Sequence, residues 1–155
     1  MAIRLRRFSS RSLGLFALSV FLPVPPAPRN SLQYGTEFKQ AEIEKVSAEN
    51  SLGASKNIKI TTLGQGQGVS HHLVQVRDRE KPHVHKIHDG TVVMVKGGGY
   101  LMMENRRIDM SAGDIVYIPR NAVHYFVNTA SEPTIAFVVF SPPFDGKDTV
   151  PVEKP

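Results

Sequence analysis

His83 and His85 stand two residues apart in Pro82-His-Val-His85, and in an extended chain every second side chain faces the same way. Two imidazoles on one face can converge on a single ion, as the neutral nitrogen ligands that suit divalent transition metals. Taken alone, the pair also fits two solvated surface histidines. The chain adds His88-Asp89 just downstream, and His124 some forty residues later inside Ala122-Val-His-Tyr-Phe-Val-Asn128. In that run the even positions Ala122, His124, Phe126 and Asn128 share one face. His124 is therefore either a satisfied core residue or a third ligand. With no cysteine in the chain, thiolate ligation and disulfides are excluded.

Other chemistry-bearing residues carry less. Of His71-His72 at most one can face inward, and His72 shares its face with Val74 and Val76. It reads as core filler or a hydrogen-bonding group in a pocket wall. Met94, Met102, Met103, Tyr117, Phe126 and Phe137 read as barrel lining or interface residues, some of them shaping an apolar pocket beside the ion. Lys96 has the parity of a pocket cation, although a charged residue beside a glycine-rich rim is usually solvated. Gly64-Gln-Gly-Gln-Gly68 is followed by neither Lys-Ser/Thr nor a helix and is not a phosphate loop. The sequence carries no nucleophile motif and no paired carboxylates.

The elements that must position these residues are short β-branched or aromatic runs separated by turn residues, the pattern of an all-β sandwich or barrel. They are 58–63, 71–76, 91–95, 100–103, 106–110, 115–118, 123–127 and 134–140. Eight strands suffice to close a small barrel. Gly97-Gly-Gly99 marks a bulge or sharp bend at its rim. Before the strands, residues 25–36 read as a linker, and 38–50 carry apolar residues at helical spacing, predicting a short helix packed outside the main body. After Ser141 the chain reads as a turn-rich tail.

Two stretches, Pro82-His-Val-His85 through Gly97 and Gly113-Asp-Ile-Val-Tyr-Ile-Pro119 through Asn121, His124 and Asn128, closely resemble the two conserved motifs of the cupin superfamily. Asn121 stands where glycine is usual, a mild departure because asparagine tolerates a left-handed backbone. The resemblance covers about residues 57–141. It implies an all-β double-stranded β-helix, or jelly-roll barrel, that binds a divalent metal through His83, His85 and His124. One departure weighs more. The family's glutamate ligand, separated by six residues from the glycine matched by Gly97, is Gly90 here. His88 shares its alternation parity with Gly90 and could turn inward as a substitute fourth ligand, or be a solvated turn residue that leaves three histidines and water. Asp89 could orient a liganding imidazole from behind. Without a carboxylate the site disfavours Mg and Ca and suits a transition metal, with Fe, Mn, Ni, Cu and Zn not distinguished.

The resemblance further implies a metal-dependent enzyme acting on a small organic molecule, by dioxygenation or another oxidation, or by isomerase or lyase chemistry. The alternatives are a non-catalytic module that captures a metal or metabolite, and a barrel that has lost its metal. It also suggests a homodimer.

Composition narrows partners and location. The net charge is +5, but five arginines and no acid lie in residues 1–30, so 14 basic residues face 14 acidic ones from residue 31 onward. The folded part is neutral, which gives no support to nucleic-acid binding. Arginines followed by the apolar run 13–24 read as a leader over residues 1–27. That run of about 12 residues falls short of the about 20 a spanning helix needs, so no stable membrane anchor is expected after cleavage. The expected location is secreted or periplasmic, with a mitochondrial transit peptide as the alternative. The expected organisation is this leader, a linker and short helix over 28–56, the barrel over 57–141 and a tail over 142–155.

Overall fold

From Ile58 onward, β-branched and aromatic runs stand between turn residues, and in an extended chain successive side chains face opposite ways, so each strand can turn one face to the core. The structure, a computed structural model, describes residues 31–34 and 39–153. All eight predicted runs are strands, within a residue or two at their ends: β3 (Ile58–Gln65), β4 (Ser70–Val76), β6 (Asp89–Lys96), β7 (Gly98–Met103), β8 (Arg106–Ser111), β9 (Ile115–Ile118), β10 (His124–Asn128) and β11 (Thr134–Ser141). Among the described residues four further strands are β1 (Ser31–Tyr34), β2 (Lys39–Glu42), β5 (His83–Val84) and β12 (Val150–Pro151), and a single helix, α1, spans Ile43–Glu49.

The strands form two five-stranded antiparallel sheets, ordered β12-β5-β10-β7-β8 and β3-β4-β11-β6-β9, while β1 and β2 pair separately. The inner faces of the two large sheets share one apolar cluster that includes Val76, Met94, Leu101, Phe126, Val138 and Phe140. A second cluster lies on the outer face, where Ile43 and Val46 of α1 meet Leu63, Leu73 and Ile135. The outcome is the expected jelly roll of two facing sheets with a short helix outside. Turn chemistry holds its connections. Glu104 and Asn105 both have positive φ in the two-residue turn between β7 and β8, as this kind of hairpin requires. Asn121 takes the left-handed conformation expected of it, at φ 65°.

Three expectations change, and one open alternative is decided. The helix is shorter than 38–50, because Lys39–Glu42 pair with Ser31–Tyr34 as strands, pairing that overrides helix propensity there. Residues 31–34, read as linker, are that partner strand. The segment after Ser141 is no free tail: Phe144 and Asp148 are buried, and Val150–Pro151 pair with Val84 and His83. Of the two readings of Lys96 the solvated one holds: it is exposed and does not line the interior, since the register shift between Ile135 and Ala136 resets the alternation at that end of β6. Phe38 and the leader lie outside the described residues. No helix among the described residues is long and apolar enough to cross a membrane.

Candidate metal centre

β5 is only two residues long, yet it lies between β10 and β12, with His83 directly opposite His124 and Pro151. That register places two imidazoles side by side on adjacent strands, and His85 follows at the end of β5. The ring centroids are 4.3 Å apart for His83 and His124, 5.2 Å for His83 and His85, and 5.3 Å for His85 and His124. One ring nitrogen from each of the three lies within 4.8 Å of the others, and all three residues are buried. Nitrogens this close can share one ion, which such sites hold at bonds of about 2 Å.

Hydrogen bonds decide which nitrogens are free. Nδ1 of His83 donates to the carbonyl of Lys81 at 2.8 Å, Nδ1 of His85 to that of Asp148 at 2.6 Å, and Nδ1 of His124 to that of Ala122 at 2.9 Å. A carbonyl only accepts, so each Nδ1 carries a proton, and in a neutral ring the Nε2 keeps its lone pair. Protein groups behind each ring thus select the tautomer a metal needs in front of it. Burial, aided by the nearby His83, pushes the His124 pKa down to about 4. Burial also lowers that of His85, although the Asp148 carbonyl works the other way. Both rings therefore stay neutral at pH 7, as ligands must.

His88 does not join the cluster. It is buried, but its Nδ1 lies 2.6 Å from Asp148 Oδ2 and its Nε2 3.1 Å from the carbonyl of Pro143. The expectation of a fourth ligand fails because Lys86 and Ile87 leave the strand. Alternation parity ends there, and the ring turns to the segment after β11. Asp89 is not behind an imidazole either. It faces outward, where its carboxylate accepts from the Arg120 side chain and backbone, which together hold its pKa down to about 2. His72 is fully buried between Ser70 Oγ at 2.7 Å and Thr62 Oγ1 at 3.3 Å, the hydrogen-bonding role expected of it.

Asp148 is the residue sequence reasoning missed. Its carboxylate accepts the backbone N–H groups of Lys86, Ile87 and His88 at 3.0, 2.9 and 3.3 Å, while its own carbonyl takes the proton of His85. Burial would raise its pKa, but the Ile87 N–H, the His88 ring and the Lys86 N–H outweigh that and hold it down to about 2. No local signal marks this residue, which lies 63 positions from His85 in the chain.

The three Nε2 atoms open on a cavity of about 830 Å³, walled largely by apolar residues such as Val92, Met94, Phe126, Phe140 and Phe144. This size suits a small organic ligand. Glu80 also lines it, but its Oε2 accepts the N–H of Phe126 at 2.9 Å, and burial raises its pKa. No carboxylate belongs to the histidine cluster among the described residues. Three neutral imidazoles without thiolate or carboxylate suit a divalent transition metal better than Mg or Ca.

Two facing antiparallel sheets around a buried His-x-His and a third histidine on the neighbouring strand define a jelly-roll protein with a candidate metal site. The chain belongs to the cupin superfamily, and the family profile described as "Cupin domain" matches residues 70–140. An uncharacterised protein of Aquifex aeolicus is 38% identical over 112 residues, covering 72% of this chain and 91% of that one. Two solved structures show the same fold. An uncharacterised double-stranded β-helix protein of Klebsiella pneumoniae has a TM-score of 0.58 at 19% identity, covering 69% of this chain and 94% of that one. Pac13 of Streptomyces, a nucleoside dehydratase, has a TM-score of 0.53 at 21% identity, covering 63% of this chain and 79% of that one.

Proposed function

We propose that this protein is an exported, metal-dependent enzyme that converts a small organic molecule held in the barrel. One observation carries the reading: three tautomer-locked histidines present free Nε2 lone pairs to a single point on the wall of a largely apolar cavity. His83, His85 and His124 would hold the ion, which supplies Lewis acidity or, with a redox-active metal, oxygen chemistry. The aromatic wall excludes water and orients the ligand, and Asp148 keeps His85 in place. Pac13, a dehydratase on the same fold, supports lyase chemistry as one of the two reaction types, oxidation being the other. The arginine-rich, apolar leader supports export to the periplasm or beyond. Ile115 and Tyr117, exposed on the edge strand β9, support pairing with a second copy.

The test is turnover by the full chain across a panel of small thiols, diols, phenols and organic acids. Oxygen uptake is followed with Fe(II), and non-oxidative conversion with Mn or Zn by NMR. Conversion that His124→Ala abolishes supports the enzyme; silence across the panel with an ion firmly bound favours a binding module.

A further inference from the structure

Three glycines of the interior and its rim differ in why they are glycine. A Cβ on Gly97 would lie 2.8 Å from Thr134 Oγ1, and one on Gly99 would lie 2.0 Å from the carbonyl oxygen of Val127, so neither position accepts a side chain. Gly90 has no such reason. It sits on β6 between Phe140 of β11 and Ile118 of β9, its backbone is not left-handed, and a Cβ there would meet the Phe140 ring at 3.6 Å and Ile118 at 3.9 Å. These are ordinary contacts, so packing permits a side chain at this point of the cavity wall. It lies in the sheet facing β5 and β10, and Phe140 bridges the two, its ring 5.1 Å from that of His85.

Charge makes the missing side chain consequential. Three neutral imidazoles leave the double charge of a divalent ion uncompensated, and an unpaired charge beside apolar walls is costly. Glu80 interacts electrostatically with His83, but burial raises its pKa and none of its oxygens joins the cluster, so it does not fill a place on the ion. An anion touching the ion would complete that compensation, and the largely apolar walls around it favour hydrocarbon over hydroxyls. Thr134, one of two hydroxyl side chains lining the cavity, already donates to Asn128 Oδ1 at 2.7 Å and approaches the Gly98 carbonyl at 3.3 Å.

We infer that Gly90 keeps open the place of a small organic anion with an apolar body, a monocarboxylate being the simplest. Its charge completes the centre, and its hydrocarbon lies against Phe126, Phe140 and Phe144. The inference rests on the reading of His83, His85 and His124 as metal ligands.

The full chain is loaded with Co²⁺, whose visible spectrum reports on coordination, and titrated with three six-carbon probes: hexanoate, hexanamide and gluconate. Hexanoate is expected to change the spectrum and to bind about ten-fold or more tightly than the neutral amide or the hydroxylated acid. Gly90→Glu is expected to retain Co²⁺ and to lose hexanoate affinity by about ten-fold or more, its own carboxylate taking the place. Gly90→Ala, whose added methyl fits, is expected to stay within about three-fold of the parent and provides the comparison should the glutamate variant not fold. Equal binding of the three probes, a Gly90→Glu protein that binds hexanoate like the parent, or a marked loss in Gly90→Ala overturns the inference while leaving the metal centre intact. Failure to bind Co²⁺ overturns both.

Discussion

His83, His85 and His124 are as thoroughly enclosed as most of the core, and so are His72 and His88. The two groups differ in their hydrogen bonds. Each of the first three has one ring nitrogen tied to a backbone carbonyl and the other open on the cavity. In the other two, Ser70 and Thr62, or Asp148 and the Pro143 carbonyl, occupy both nitrogens. Burial alone therefore does not make a histidine a ligand. A protein that encloses an imidazole purely for structure satisfies both of its nitrogens, and the three that break this rule do so at one place.

Substitutions that break this contrast should separate the two groups. The largest effect is expected from His124→Ala, which should weaken divalent-metal affinity by about 100-fold or more in a calorimetric titration, since it removes a ligand outright. His72→Ala should leave that affinity within about three-fold yet cost about 1–3 kcal/mol in urea unfolding, because Ser70 and Thr62 lose a buried partner. Equal losses of metal from both variants would erase the distinction.

Asp148→Ala comes next, with affinity falling about ten-fold although the residue touches no ion, because the turn that carries His85 loses its clamp. An unchanged affinity would show that the strand pairing of β5 holds His85 unaided.

A smaller effect is expected from pH in the metal-free protein. His124 titrates near 6.5 when unfolded and at about 4 when folded. As pH falls between those values the unfolded state takes up a proton that the folded state refuses, so stability is lost on acidification. From pH 7 to pH 5 this loss is about 2 kcal/mol. His124→Gln should lack that part of the pH dependence in parallel urea titrations, and an identical slope in both proteins would contradict the assignment. The smallest effect belongs to Asp89→Asn, which should leave metal affinity within about two-fold, the carboxylate being engaged with Arg120 on the outside of the barrel.

Much of this was legible in the sequence wherever a pattern ran unbroken. The eight longer strands announced themselves through β-branched or aromatic runs set between turn residues, and His83, His85 and His124 through spacing and resemblance. What stayed hidden depends on interruptions and on distant contacts. The parity argument allowed His88 an inward turn across Lys86 and Ile87, where the chain is no longer a strand, and allowed Lys96 a place in the pocket across a bulge that resets the count. β5 and β12 are two residues each, too short for any periodicity, and exist because they pair with one another and, for β5, with β10. Asp148 acts from the far end of the chain through its backbone carbonyl as much as through its side chain, and a backbone carbonyl leaves no trace in residue type.

The most direct test is X-ray absorption at the zinc edge of the full chain loaded with Zn²⁺. About three imidazole nitrogens at roughly 2.0–2.1 Å are predicted, with one fewer in His124→Ala. A parent protein showing one imidazole or none, or a spectrum unchanged by His124→Ala, would contradict the shared site.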